Sequence, residues 1–266
     1  MCRSCDEAGQ GGRRCSDHST LKKVDLEALR PGAVSDEIPE IEWGTVPTAQ
    51  DLYDTYDPDV AAATIEALQR VSKQEPTITA AVVAAVPEDC RTDGLAFRVK
   101  SPASLARKIA TKADQRPDLG AHEVSATLTD FVRYTVVAPK PERLASCATE
   151  TMGELQPNGW TVIEAEHMYV DQNPYRGLHV IARHEASGQD VEIQFHTEQE
   201  IAIKNEFHVQ YEVERDRSIP RGERAKAREE MVVAWQGVER PPGVVDLPIG
   251  GIVVVEKRYP NRYKRE

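Results

Sequence analysis

The order of apolar runs along the chain predicts an α/β fold: a mixed five-stranded sheet flanked by helices. Three observations predict it. Strand-like runs with period-two patterning alternate with stretches of helical period. Two of those runs, "GLHVIARH" and "DVEIQFHT", are joined by "EASGQ", a short hairpin connection. The 266 residues are 40% hydrophobic, enough to bury a sizeable core.

The elements follow in order. Residues 1–46 are rich in Gly, Ser, Asp and Pro, so a disordered Cys/Gly/acidic leader is expected. No Lys or Arg occurs from Asp36 to Asp59, an acidic approach to the folded part. The main domain is expected over residues 47–240. "DPDVAAATIEALQRVSKQ" has Asp57 or Asp59 as cap and Val60, Ile65, Leu68 and Val71 at helical spacing. "TITAAVVAAVPEDC" reads as helix, its alanines outweighing its β-branched residues. The five strands are Leu95–Lys100, Asp130–Ala138, Trp160–Val170, Gly177–His184 and Asp190–Thr197. A helix from Pro102 separates the first two, and "KPERLASCATETMGELQPNG" separates the next two, ending at Pro157-Asn158-Gly159. Helical patterns return in "EQEIAIKNEFHVQYEVERD" and "PRGERAKAREEMVVAWQGV". Residues 241–266 read as a Pro/Gly-containing tail with one apolar run and a basic end.

The formal charge of −11 argues against general nucleic-acid binding. No apolar run approaches the roughly 18 residues of a membrane span. No secretory signal is visible, so the expectation is a cytoplasmic protein. Of five cysteines, Cys90 and Cys147 read as small buried apolar residues. Cys2, Cys5, Cys15 and His18 form CxxC followed by CxxH, a spacing that suits Zn²⁺. Their Gly-rich flanks offer no core, which favours a leader with incidental cysteines.

The chemistry begins at "FRVKSPASLARKI". Ser101 is a good N-cap and Pro102 suits the first helical position. Ser104 and Lys108 then share one face, while Leu105 and Ile109 share a core-facing one. Arg98 and Lys100 share a face of the preceding run, and Arg107 lies beside Lys108. Free N–H groups, hydroxyls and cations at a helix start suit a polyphosphate; a capped surface helix with solvated cations is the plainer alternative. Asp130 and Glu192 are carboxylates on two strands, suited to Mg²⁺, and one of them to general-base work. A carboxylate between Val191 and Ile193 costs stability unless paired or functional. Glu192, Gln194 and His196 share a face by strand parity. Tyr175 precedes a turn into a strand, where a ring can stack on a base, and His179 follows four residues later.

"RVKSPASLARK", an Asp-bearing strand, "YRGLH" and "EIQFHT", in this order, resemble the synthetase domain of the RelA/SpoT superfamily over roughly residues 55–215. The resemblance implies a nucleotidyltransferase-like fold and a stand-alone small alarmone synthetase, which moves the β,γ-pyrophosphate of ATP to the 3′-hydroxyl of GDP or GTP. It implies ATP-binding roles for Arg98, Lys100, Ser101, Ser104, Arg107 and Lys108. It implies Mg²⁺ on Asp130 and Glu192, with Glu192 readying the acceptor hydroxyl. Tyr175, His179, Gln194 and His196 fall to the acceptor, as do Lys204 and His208 on the following helix.

Two positions depart from the family pattern. The second strand has Thr135 where an arginine is usual, with Arg133 two residues earlier, and by parity Asp130 and Arg133 face opposite sides. "EIQFHT" has His196 where the family has arginine. This variant resembles a toxin-like branch, some of whose members use adenosine nucleotides or pyrophosphorylate the 3′ end of tRNA. The basic "KRYPNRYKR" is the feature a tRNA acceptor would use. A non-catalytic nucleotide-binding module is the third reading. A neutralising antitoxin and a homo-oligomer are partners the resemblance allows, and no hydrolase domain is legible.

Overall fold

The computed structural model describes residues 15–35 and 38–263. The chain divides into two compact units, Met1–Thr79 with Leu95–Val132, and Ala80–Gly94 with Arg133–Glu266.

The first unit is helical among its described residues. Helix α1 spans Cys15–Leu21 and α2 spans Ala49–Thr55. A capping box starts α2: the Asp51 N–H donates to Thr48 Oγ1 at 3.1 Å, and the Thr48 N–H donates to Asp51 Oδ2 at 2.8 Å. Helix α3, Pro58–Ala85, continues into the second unit. It absorbs Pro76, which leaves the Ser72 carbonyl without its helical donor. Helix α4 is Pro102–Gln115 and α5 is Ala121–Ala126. Leu52, Ile65, Leu68, Leu105 and Ile109 are buried, as helical spacing requires.

Two expectations are corrected here. The stretch read as a disordered leader supplies core: Leu26, Ile38, Ile41 and Trp43 are buried. Trp43 Nε1 donates to the Val99 carbonyl at 3.1 Å, and the Glu42 N–H to the Ala96 carbonyl at 2.7 Å. Its apolar residues are too widely spaced for local periodicity, but burial needs only a partner surface. Leu95–Lys100 is not a strand. Gly94 turns the chain at φ +63°, Leu95–Phe97 forms a 3₁₀ turn, and Val99 makes a single bridge to Val132. In the leader, Cys2, Cys5 and the Cys15 side chain lie outside the described residues. The His18 ring hydrogen-bonds the Tyr53 hydroxyl at 3.1 Å.

The second unit is built on a six-stranded mixed sheet. Its strands are β1 (Arg91–Asp93), β2 (Val132–Ala138), β3 (Trp160–His167), β4 (Leu178–His184) and β5 (Gln189–Thr197). A two-stranded hairpin follows, β6 (Pro248–Ile249) with β7 (Ile252–Val253), and then β8 (Val255–Glu256). The sheet order is β1-β2-β5-β4-β3-β8. The pairs β1–β2, β5–β4 and β4–β3 are antiparallel, and β3–β8 is parallel. The strand preceding β2 is therefore Arg91–Asp93, with Asp93 opposite Thr135. The tail read as a basic extension contributes β6, β7 and the edge strand β8. Gly250 and Gly251, both at positive φ, make the two-residue turn between β6 and β7.

Helix α6 (Pro141–Leu155) packs on β5, its Leu144, Cys147, Ala148 and Met152 buried. After β5 come α7 (Glu198–Glu206), α8 (His208–Arg215) and α9 (Arg221–Gln236). A second capping box starts α7: the Glu200 N–H donates to Thr197 Oγ1 at 3.3 Å, and the Thr197 N–H to Glu200 Oε2 at 2.8 Å. Among the described residues, no helix is long and apolar enough to cross a membrane.

Candidate functional site

In the first unit, Ser101 caps α4 as the sequence demands, accepting from the Ser104 N–H at 3.4 Å with Pro102 at the first helical position. Lys100 is held by its N–H on the Phe131 carbonyl at 3.1 Å, and its Nζ lies 3.2 Å from Asp130 Oδ2. Lys108, two turns into α4, pairs with the same oxygen. Lys100, Lys108, Ser101 and Ser104 are all half-buried around the start of α4, and Arg107 is exposed beside them. Lys100 and Lys108 thus share one carboxylate oxygen beside a helix N-terminus, a setting that suits an anion.

Arg98 does not join them. Its side chain is buried and pairs with Glu75 of α3, and its Nη1 donates to the Pro39 and Leu95 carbonyls, each at 2.8 Å. Glu75 is in turn bonded by the Thr79 hydroxyl. A guanidinium enclosed in this way is a structural cation, so the expected ATP contact of Arg98 is corrected. The parity argument drawn from an Arg98–Lys100 strand fails because that strand does not form.

In the second unit, β4 and β5 bring Glu192, Gln194, His179 and His196 together. His179 stands opposite Gln194 in the ladder, and Ile181 opposite Glu192. His179 Nδ1 lies 2.9 Å from Glu192 Oε1, and Gln194 Nε2 donates to the same oxygen at 3.2 Å. Lys204 Nζ of α7 donates to Gln194 Oε1 at 3.2 Å. The Tyr175 hydroxyl sits between two imidazoles, 2.8 Å from His179 Nε2 and 2.6 Å from His196 Nε2. The Tyr175 ring also packs on Trp235 of α9, centroids 5.3 Å apart. His196 Nδ1 lies 3.2 Å from Glu200 Oε2. His208 is exposed at the start of α8 and makes none of these bonds.

The charge states follow from the surroundings. Burial alone would raise the Glu192 carboxyl, but the His179 ring, its hydrogen bond and the Arg133 guanidinium outweigh it and hold the group well below the usual carboxylate range. Glu192 is thus an ionised carboxylate that takes two bonds on Oε1, while Oε2 takes part in neither. Burial, then the Arg133 charge, pushes the Lys204 ammonium down to about 8. Burial, followed by the Lys204 charge, keeps the His196 ring neutral.

Two residues of this cluster, Glu200 and Trp235, escaped the sequence reading, which named Arg133 only as an arginine out of its expected place. Arg133 acts through its charge on Glu192, Lys204 and His196. Asp130 precedes β2 rather than lying in it, so strand parity does not relate it to Arg133. Glu200 and Trp235 lie in α7 and α9, stretches read only as helical patterns. No local signal marks either, since both are brought in by packing. For Mg²⁺, the carboxylates of Asp130 and Glu192 are hard oxygen donors of the right kind, and Glu192 keeps Oε2 outside its hydrogen bonds. Among the described residues, no cluster of three or more His, Cys, Asp or Glu side chains is arranged to hold a metal by itself.

No protein-family model matches the chain, and no curated protein sequence does. Among solved structures, small alarmone synthetase 1 from Bacillus subtilis is similar at 17% identity, covering 65% of this chain and 88% of that one, with a TM-score of 0.38. The same synthetase bound to its product pppGpp gives 18% identity, coverage of 64% and 88%, and a TM-score of 0.36. A GTP pyrophosphokinase family protein from Streptococcus pneumoniae gives 17% identity, coverage of 70% and 87%, and a TM-score of 0.37.

Proposed function

We propose that the chain is a pyrophosphokinase that moves the β,γ-pyrophosphate of ATP to the 3′-hydroxyl of a guanosine or adenosine nucleotide, making (p)ppGpp- or (p)ppApp-type alarmones. The observation that carries this reading is Glu192. It is a half-buried carboxylate kept ionised by His179, Arg133 and Gln194, with Oε2 left outside those bonds to take a hydroxyl proton. The four motifs that resemble the RelA/SpoT synthetase domain supply the reaction class.

In this reading the donor triphosphate lies against Lys100, Lys108 and the N-terminus of α4, whose caps and hydroxyls are Ser101 and Ser104. Arg107 is an outer contact. The acceptor base meets the Tyr175 ring, and His179, Gln194, His196, Lys204 and His208 serve the acceptor side. Asp130 and Glu192 would hold Mg²⁺, which when bound would neutralise phosphate charge. Glu192 accepts the 3′-hydroxyl proton, the 3′-oxygen bonds to the β-phosphorus, and the bond from that phosphorus to the AMP oxygen breaks. Positioning and charge neutralisation are the sources of rate in such a transfer.

The test is incubation with labelled ATP and, separately, GDP, GTP, ADP, ATP and bulk tRNA. The expected result is AMP together with a 3′-pyrophosphorylated nucleotide. Glu192→Ala and Asp130→Ala should each abolish product while leaving the thermal melt nearly unchanged; turnover retained by either variant removes its assigned role. Label in tRNA would select the second reading, a toxin acting on the tRNA 3′ end, which the basic "KRYPNRYKR" favours and the net charge of −11 opposes. ATP binding without AMP would select the non-catalytic module. A growth-arresting role, with an antitoxin to restrain it, belongs to the same reading and is tested by growth of a host expressing the chain.

A further inference from the structure

The second unit contains an unbroken run of five polar groups: Glu192, His179, Tyr175, His196 and Glu200. Four contacts link them, at 2.9, 2.8, 2.6 and 3.2 Å in that order. Each contact needs one proton if it is a hydrogen bond. Neutral His179, Tyr175 and His196 bring one each, so three protons serve four contacts. A fourth must reside somewhere in the run. It is not on His196, a neutral ring closed off from water with the Lys204 charge near it; it either makes His179 a cation or sits on Glu200, whose side chain is fully buried with Oε1 lacking a hydrogen-bond partner among the described residues.

We propose that Glu200 is a positioning residue of the acceptor site, holding the fourth proton and so setting the direction in which His196, Tyr175 and His179 hydrogen-bond toward Glu192. With Glu200 as the acid, its hydroxyl donates to His196 Nδ1 while still accepting from the Thr197 N–H. His196 then presents Nε2–H to the Tyr175 oxygen. Tyr175 donates its own proton to His179 Nε2, and His179 donates Nδ1–H to Glu192. All four contacts are satisfied, and the ring of His179 is held at both nitrogens. This proposal deepens the acceptor site described above and rests on that reading for its turnover consequences alone.

The surroundings of Glu200 agree. The carboxyl is fully buried, and burial pushes it up to about 7 against the pull of the Thr197 N–H, the Tyr169 hydroxyl and the Arg176 charge. Those groups and His196 are the polar neighbours that face it. Gly177 completes the arrangement from β4's entry: a Cβ there would stand 2.6 Å from His196 Cε1, so only glycine lets the ring lie where Glu200 reaches it. When Glu200 ionises, His196 turns Nδ1–H to the carboxylate and Nε2 becomes an acceptor. The Tyr175 proton swings to His196, and His179 loses its second hold.

Two measurements test this. The ¹⁵N shifts of His196 in the wild-type chain report its tautomer without any variant. The expected result is Nε2–H at acid pH, converting to Nδ1–H as pH rises through about 7. A ring that keeps Nδ1–H throughout, with Glu200 ionised and His179 carrying both protons, overturns the proposal. Glu200→Gln puts a permanent N–H donor against Nδ1, at the cost of the Thr197 bond, and should keep Nε2–H at every pH. In turnover, the wild type should lose roughly tenfold across the same rise, the weight of one buried hydrogen bond, with the apparent affinity for ATP unchanged. Glu200→Gln should flatten that limb, and a limb of equal depth in Glu200→Gln overturns the positioning role. If no nucleotide or tRNA is turned over while the tautomer still switches, it is the transferase reading that falls.

Discussion

Two buried polar networks, one in each unit, divide along a simple line. Arg98 and Glu75 in the first unit are groups of opposite fixed charge, closed in by the Thr79 hydroxyl and two backbone carbonyls. The run from Glu192 to Glu200 in the second unit is made of groups that exchange protons, with one proton fewer than its contacts require unless Glu200 is acidic or His179 is a cation. The first network has one state and can only hold the chain together. The second has two states separated by a proton, which is what a site that must move a hydroxyl proton can use. The comparison teaches that burial of a cation or a histidine does not by itself mark function; the number of accessible proton arrangements does.

The largest expected effect breaks the first network. Arg98→Met leaves Glu75 buried without its partner and should cost about 3–5 kcal/mol of stability. The folded fraction should keep its ATP affinity, as denaturant melts paired with nucleotide titrations will register. Loss of ATP affinity in folded Arg98→Met would return Arg98 to the phosphate site. The second effect sharpens the contrast through pH. Glu200 titrates near 4.5 in the unfolded chain and near 7 when folded. Between those values the native state keeps a proton that the unfolded state releases. Stability therefore falls as pH rises through that window, by about 3 kcal/mol, and levels off above it. Glu200→Gln should remove the slope.

Gly177→Ala comes next, because the new Cβ meets the His196 ring and something must give. A loss of about 1–3 kcal/mol and a displaced His196 signal are expected; an unshifted His196 resonance would mean that the backbone yields instead. Lys108→Ala removes one charged contact at the start of α4 and should weaken ATP roughly tenfold with little change in the melt, the reverse of Arg98→Met. The smallest effect is Thr48→Ala, which strips the cap of α2 and should cost about 1 kcal/mol with no change in either titration.

Much of the local structure was legible. "SPASLARKI" declared its cap, its first-turn proline and its buried face, and the structure has all three. β4 and β5 alternate as read, which put Glu192, Gln194 and His196 on one face. Other features were not legible, for physical reasons. Arg98 alternates with Lys100 in the sequence, but alternation says nothing when a glycine turn precedes it and a buried glutamate lies 23 residues earlier in α3. Residues 15–46 lack periodicity, yet Leu26, Ile38, Ile41 and Trp43 are buried because the rest of their unit covers them. β8 has only two residues, too few for any pattern to show.

The sequence alone determined the helix caps, the alternation of the central strands and the chemical types in its motifs. These depend on neighbours within about four residues, the reach of backbone geometry and capping. Only the tertiary structure decided that Arg98 is structural, that the Arg133 charge acts on Glu192, and that Glu200 ends a run of shared protons. Each of those depends on groups brought together from distant parts of a unit. In that dry interior, desolvation and the count of donors and acceptors set the charge of a side chain.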